Sequence, residues 1–388
     1  MPATTGVRGT AALAARKYDV ADVISLLDVA RYPLLAILTN AGKDPVTKQG
    51  KAMKKKETTD SEFKWWEDVF GTRKLTASGN LDPDAGGNVT VTGESQYCLI
   101  GDVILFAAKK WVHAITAIVD ADTITVGAEL GGDTAATQTI TGDAWIIGNA
   151  NQEGADLRPI LGTTAEEKVG YCQIFRTPFG ITETGRETKT FIKENDLDYQ
   201  RRKKAIEHMI DIERAFIFGK KYKDTTGTHP KRYTEGVLNV ISTFAAANVD
   251  TEAEFEAWLE DAFKHGNTEK YLFASAAVVS MINGWAKGKL EITQGEKNYG
   301  LTILKYLSPH GTVNIIKHDL LTGTTYGNYA IMLDMETLTY RYLSNRDTKL
   351  LTNRQNPGED AVVEEYLTES GLMMELEKRH AIMSRAAL

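Results

Sequence analysis

An α+β fold is predicted, and three observations predict it. Residues 171–221 read strand, turn, strand and then one long charged helix. Residues 81–150 are rich in Gly, Thr, Val and Ile, with turn signals at short intervals. Beyond residue 229 helical and strand patterns alternate, and the terminal strand patterns lie far from the first ones.

The 388 residues suffice for two domains or three. With 42% apolar and 25% charged residues, the composition is that of a globular protein. No apolar run reaches the 18 or so residues that a membrane helix needs. The start, MPATTGVRGTAALAARKYDV, has no continuous apolar core and so no secretory signal is read there. Cys98 and Cys172, far apart in sequence, are expected as two buried thiols, with a disulfide as the competing reading.

Residues 1–56 read as an arm with short helical pieces. Val20, Val23, Ile24, Leu27 and Ala30 follow helical spacing, and Pro33 starts a new turn. Ten Lys and Arg stand there against four Asp, although the whole chain carries −7. Lys43, Lys48, Lys51, Lys54, Lys55 and Lys56 concentrate that charge and are candidates to face nucleic acid or an acidic partner. A solvated linker is the competing reading, and no aromatics interleave for base stacking. The segment FKWWEDVF, with Phe63, Trp65 and Trp66, is too aromatic for water and too short for its own core, so it is a candidate subunit contact.

Turn signals at Gly101-Asp102, Asp120 to Asp122, Gly131 to Asp133 and Gly142-Asp143 separate the runs VILFAA, WVHAITAIV, TITV, TQTIT and AWIIG. They predict a compact β module over about 94–149, a small barrel or sandwich inserted in a larger fold.

The long helix follows. Asn195 or Asp196 caps it, and Glu194, Asp196 and Asp198 oppose the positive end of its dipole. Ala205, Met209, Ile212 and Phe216 form an apolar stripe that Ile206, Ile210 and Ile217 widen. Arg201, Arg202, Lys203, Lys204, Glu207, Asp211, Glu213 and Arg214 are read as the opposite face, and Gly219 as the stop. Roughly 25 residues make a rod of about 37 Å. Four cations on one turn repel, and exposed pairs are worth under roughly 1 kcal/mol. The cluster is therefore predicted to meet a neighbouring copy's acids, around Glu57, Asp60 and Glu62. A merely solvated face is the alternative.

DTTGTHPKR reads as a loop. TEAEFEAWLEDAFKHGN then reads as a helix with a Thr251–Glu254 capping box and Phe255, Trp258, Leu259, Ala262 and Phe263 on one face. YLFAS, TVNIIKH, NYAIMLD and LTYRYL read as strands, and AAVVSMINGWAK as a helix. In the tail AVVEEYLTE and LMMELE read as two strands, with Val362, Tyr366 and Thr368 on one face of the first.

Catalytic signatures are missing: no G-x-G-x-x-G, no G-x-x-x-x-G-K-[ST] and no G-x-S-x-G. No two of the seven histidines stand at metal-ligand spacing, and neither cysteine has a C-x-x-C partner. The acidic clusters at Asp82 and Asn195 lack the Gly and Glu of a calcium loop. No catalytic residue, metal ligand or cofactor is assigned, and an enzyme is not expected.

The order of these parts, with DVARYPLLAIL, FKWWEDVF, AWIIGNANQEGAD, YCQIFRTPFGITETGR, IERAFIFGKK, TEGVLNVIS and GTVNIIKHDLLTG, resembles the major capsid proteins of tailed bacteriophages. The resemblance covers nearly the whole chain. It implies an N-terminal arm (1–56), an E-loop region (57–193) with an inserted small β-barrel, and a P-domain spine helix (194–228). An A-domain (229–336) and P-domain return strands (337–388) follow. It also implies hexamers and pentamers of an icosahedral shell in the virion, assembled in the host cytoplasm around double-stranded DNA. Portal and decoration proteins are implied partners; so is a separate scaffolding protein, because the arm motifs begin near Tyr18. Interface candidates are Phe63, Trp65, Trp66, Arg201, Arg202, Lys203, Lys204, Glu207 and Arg214. Some relatives cross-link a Lys to an Asn with help from a Glu. Lys64 or Lys74 could stand in the E-loop, but nothing matches the Asn and Glu, and that chemistry is not carried over. An encapsulin-like nanocompartment shell is the alternative of similar architecture.

Overall fold

A computed structural model describes residues 34, 54–68, 73–92, 95–132, 136–188 (apart from 155, 159 and 163), 196–285, 290–291 and 303–386. The chain divides into two units, Trp66–Glu167 and the remainder.

The larger unit holds two sheets. One has five strands, in the order Lys54–Thr58, Leu338–Leu343, Ala361–Met374 and Gln173–Thr182, with Lys349–Leu351 also paired to Ala361–Met374. The first pairing is parallel and the others antiparallel. The other sheet has seven strands, in the order Ala245–Ala246, Ala381–Ser384, Tyr329–Leu333, Glu269–Ala274, Gly311–Lys317, Ile303–Ser308 and Leu290–Glu291. One apolar cluster joins Phe175, Ile212, Phe216, Tyr340 and Leu372 to Phe273, Ile316 and Ile331. A second packs Phe255, Trp258, Leu259, Val278 and Ile282 onto the seven-stranded sheet. The helix Glu252–Ala262 starts at the expected capping box, with Thr251 accepting from Glu254 N–H and the Glu254 carboxylate returning to the Thr251 backbone.

The tail differs from its sequence reading. AVVEEYLTE and LMMELE form a single strand, Ala361–Met374. It runs unbroken because it is central, paired along its length on one side or the other. The last strand, Ala381–Ser384, then crosses to the seven-stranded sheet, where Ala381 and Met383 are fully buried, so the described part of the tail, 337–386, serves both sheets. The loop DTTGTHPKR is flanked by a short ribbon, Tyr222–Asp224 paired with Lys231–Tyr233.

His208 and His380 are two of the buried histidines that act as hydrogen-bond bridges. His208 lies between Thr177 Oγ1 (2.8 Å) and Thr368 Oγ1 (2.7 Å). His380 Nδ1 accepts from Asp334 N–H (3.2 Å), so Nε2 carries the proton toward Thr337 Oγ1 (3.0 Å). Burial pulls the His380 pKa down to about 3, and burial also lowers that of His208. The unfolded chain therefore binds these protons first. The stability that neutral His380 supports is complete above pH 6.5 and falls as pH drops toward about 3. Urea midpoints measured on the unassembled chain from pH 7 to pH 4 should fall more steeply for the parent than for His380→Gln; parallel curves would refute this.

The smaller unit contains a closed barrel. Its strands run in the order Lys74–Leu81, Gly87–Val91, Thr123–Glu129, Trp111–Ile118, Asp102–Phe106 and Gln138–Asn149. Alternate residues point inward, among them Leu75, Ala77, Val89, Val91, Ile104, Phe106, Ile124, Val126 and Ile140. The module begins at Lys74 rather than near 94. KLTASGNL looks loop-like in composition, but Leu75, Ala77 and Leu81 keep the two-residue period. Gly142-Asp143 is not a turn either. Gly142 lies inside Gln138–Asn149 at φ +116, in the strand that pairs with both Lys74–Leu81 and Asp102–Phe106 and closes the barrel. Closure removes every open edge, which lets so small a module keep a core. Neither Cys98 nor Cys172 is in a disulfide; both are buried, one in each unit. Burial pushes the Cys172 thiol up to about 12.

Candidate functional site

The long helix, Asp196–Phe218, has 23 residues, a rod of about 34 Å. It ends where expected. Close approach is what demands glycine at that stop: a Cβ on Gly219 would stand 2.3 Å from Ala215 O and 2.7 Å from Thr234 O. The caps proposed at Asn195 and the Asp196 side chain lie outside the described residues.

The helix packs into the apolar cluster of the five-stranded sheet through Ile212, Phe216 and Ile217, and Ile210 is buried as well. Ile206 does not widen the stripe; it is 43% exposed. Glu213, read as part of the charged face, is fully buried. Its Oε1 accepts from Leu34 N–H at 3.0 Å and lies 2.6 Å from His318 Nε2. Its spacing, four after Met209 and three before Phe216, already placed it on the apolar stripe; its charge hid that.

The cationic turn is also partly internal. Arg201 grips the Glu364 carboxylate with Nε and Nη2, both at 2.6 Å, and reaches Asp198 with Nη1 at 2.7 Å. Glu364 is 3% exposed. Its hydrogen bonds raise the Arg201 pKa further above the usual guanidinium range. Lys204 pairs with Glu207 at 2.6 Å and Arg214 with Asp211 at 3.4 Å. Arg202 is exposed and Lys203 half-buried. The expectation that Arg201 waits for a neighbouring copy is corrected: its partner is 163 residues away in its own chain. Glu62, expected to supply acidic charge to a neighbour, binds Lys223 and Arg232, and the Lys223 hydrogen bond is the main cause of its lowered pKa.

The aromatic segment splits. Phe63 is buried against Cys172 and Met373, stacks on Trp65 at 6.0 Å and lies under the Arg341 guanidinium at 5.8 Å. It has the local cover that its sequence context did not reveal. Trp66 is 65% exposed. Of the arm lysines, Lys43, Lys48, Lys51 and the Lys54 side chain lie outside the described residues. Lys55 binds Asp347 and sits over the rings of Tyr340 (5.5 Å) and Tyr342 (5.1 Å), so it is engaged within the chain. Lys56 is exposed.

The smaller unit carries a surface that the sequence reading missed. Of 18 exposed large apolar side chains among the described residues, ten lie in Trp66–Glu167, about a quarter of the chain. Leu157 and Ile160 are nearly bare, at 90% and 88%. Arg158 between them is tied down, donating to Ile100 O (3.2 Å) and Asp102 Oδ1 (2.8 Å). LRPIL could have drawn notice as an apolar run with nothing local to cover it. Among the described residues no three His, Cys, Asp or Glu side chains converge as a metal site.

A family model described as SU10 major capsid protein matches residues 2–387, and the chain belongs to that family. It has the tailed-phage capsid fold and forms the icosahedral shell of the virion. A major capsid protein of Pseudomonas phage PaMx41 is 24% identical over 310 residues, covering 75% of this chain and 74% of the relative. Among solved structures, the capsid of a native GTA particle is similar over 96% of both chains, at 8% identity and TM-score 0.48. Mycobacterium phage Bobi is similar over 98% and 99%, at 7% and 0.48. The Synechococcus elongatus PCC 7942 encapsulin is similar over 58% of this chain and 76% of its own, at 10% identity and TM-score 0.40. It is the family match that leaves the nanocompartment alternative unfavoured.

Proposed function

We propose that this capsid subunit packs duplex DNA, and that its Trp66–Glu167 unit is the arm by which one copy grips the next. The observation that carries the second statement is the apolar surface of that unit, above all Leu157 and Ile160. Two large apolar side chains this bare, three residues apart, are disfavoured in a free monomer and mark a contact. Trp66 belongs to the same contact, and Arg202, Lys203 and Arg214 remain interface candidates on the spine helix. A scaffolding protein, a portal and decoration proteins complete the assembly in the host cytoplasm.

Leu157→Asp combined with Ile160→Asp should leave the circular dichroism and melting of the unassembled chain unchanged, because both side chains are solvated there. Shell yield by electron microscopy should fall at least about tenfold, since each charge would be buried at a contact. Normal shells from the double variant would remove this surface from the interface. Nuclease-protected duplex DNA in purified particles tests the packing.

A further inference from the structure

The five-stranded sheet has two unlike faces. Even-numbered residues of Ala361–Met374 meet the spine helix: Glu364 takes Arg201, the Tyr366 hydroxyl donates to Arg201 O, and Thr368 meets His208. Odd-numbered residues point the other way. There Arg176 and Arg354, about half exposed, close over Glu365, which is 4% exposed. Arg176 holds that carboxylate through Nε and Nη2, and Arg354 Nε stands 3.5 Å away. Arg346 covers the buried carboxylate of Glu369 at 2.5 Å in the same manner. Lys349, exposed, is in register with Leu367 on this face, and Leu367 is in register with Arg176. On the far strand Lys56 is in register with Arg341, whose guanidinium reaches Met373 on the same side. Arg176, Pro178, Arg354, Val363 and Glu365 line an open groove of about 250 Å³.

The acids of this face are thus sunk beneath guanidiniums, and the cations stand in solvent. Glu359, Asp360 and Glu375 lie at its margins, beyond the ends of the strand, and the exposed Asp60 stands near Cys172 at the end away from Arg354. In a chain of net charge −7 this is a local arrangement rather than a consequence of composition. Each buried carboxylate fixes one edge of a guanidinium and leaves the other N–H groups outward, the geometry that phosphate oxygens accept. Arg176 and Lys349 flank the central strand, about 10 Å apart. The cations are spread across a sheet rather than gathered in a pocket, which suits a repeating polyanion read by its backbone alone.

We propose that this face of the five-stranded sheet binds the phosphate backbone of duplex DNA without sequence preference, an inference that rests on the DNA-packing reading above. The unassembled full-length chain would be titrated with a short fluorescent duplex of arbitrary sequence over a range of salt concentrations. Lys349→Glu with Lys56→Glu should weaken binding at least about tenfold and flatten the log–log salt slope by about 0.9 for each phosphate no longer neutralised. Neither change touches the Glu365 or Glu369 pairs, so melting should hold. Lys109→Glu, on the barrel, should leave binding unaltered. Equal affinity and slope in parent and double variant would overturn the proposal. So would unchanged DNA binding with reduced shell yield, which would make the face a contact with a second copy. Parent shells that protect no DNA would instead defeat the packing reading itself.

Discussion

Arg201→Ala is expected to destabilise the unassembled chain by about 3 kcal/mol, the low end of the range for breaking a buried ion pair. The low end applies because Arg201 is one-third exposed while Glu364 is 3% exposed. Truncation leaves the Glu364 carboxylate against the spine helix with its two guanidinium hydrogen bonds gone. Arg202→Ala, one position along on an exposed site, should change stability by less than about 1 kcal/mol. Denaturant midpoints of the two variants give the comparison. Equal midpoints would mean that the clamp adds nothing to the fold and would leave Arg201 available to a neighbour. The structure also changes which variant can test the helix as an interface. Charge reversal at Arg201 disturbs folding and assembly together, whereas Arg202 separates them.

The second large effect is expected at Lys270. This lysine is fully buried, and its ammonium donates to Ala262 O (2.6 Å), His265 O (2.8 Å) and Arg379 O (2.7 Å). It ties the end of the helix Glu252–Ala262 to the turn before the final strand. Lys270→Met keeps the bulk and removes three hydrogen bonds, at about 1 kcal/mol or more for each carbonyl left without a donor. A loss of about 3 kcal/mol is expected near neutral pH, where the relieved desolvation of the ammonium only partly offsets it. The pH dependence supplies an independent check. Burial lowers the Lys270 pKa from 10.5 to about 8. Between those values the unfolded chain binds the proton and the folded chain does not, so this site's contribution to stability rises with pH through that window. The rise, at most about 3 kcal/mol, should appear in the parent and be absent from Lys270→Met. A parallel pH profile in the two proteins would show that the ammonium is not held as described.

What the chain made legible was local. The Thr251–Glu254 capping box spans three residues, and it formed as expected. Leu75 and Ala77, Val89 and Val91, and Ile104 and Phe106 stand at every second position of their strands and all point inward, so barrel strands were legible once the period was followed. Lys74–Leu81 escaped only because Ser, Gly and Asn masked that period. The helix Asp196–Phe218 and its stop at Gly219 were legible, and so was the face of the tail strand carrying Tyr366 and Thr368.

The partners of charged groups were not legible. Arg201 meets Glu364, Glu213 meets His318 and Leu34, and Lys55 meets Asp347, across separations of 163, 105, 179 and 292 residues. A charge on a helix has the same local spacing whether it faces water, a neighbour or its own sheet. By itself the sequence determined the class of fold, a small inserted β module and the rod, because periodicity and capping act within a few residues of chain. Only the tertiary structure decided which charges are consumed inside the subunit and which remain at its surface. That depends on which strands the chain brings beside the helix, and strand pairing at such distances leaves no periodic trace in the sequence.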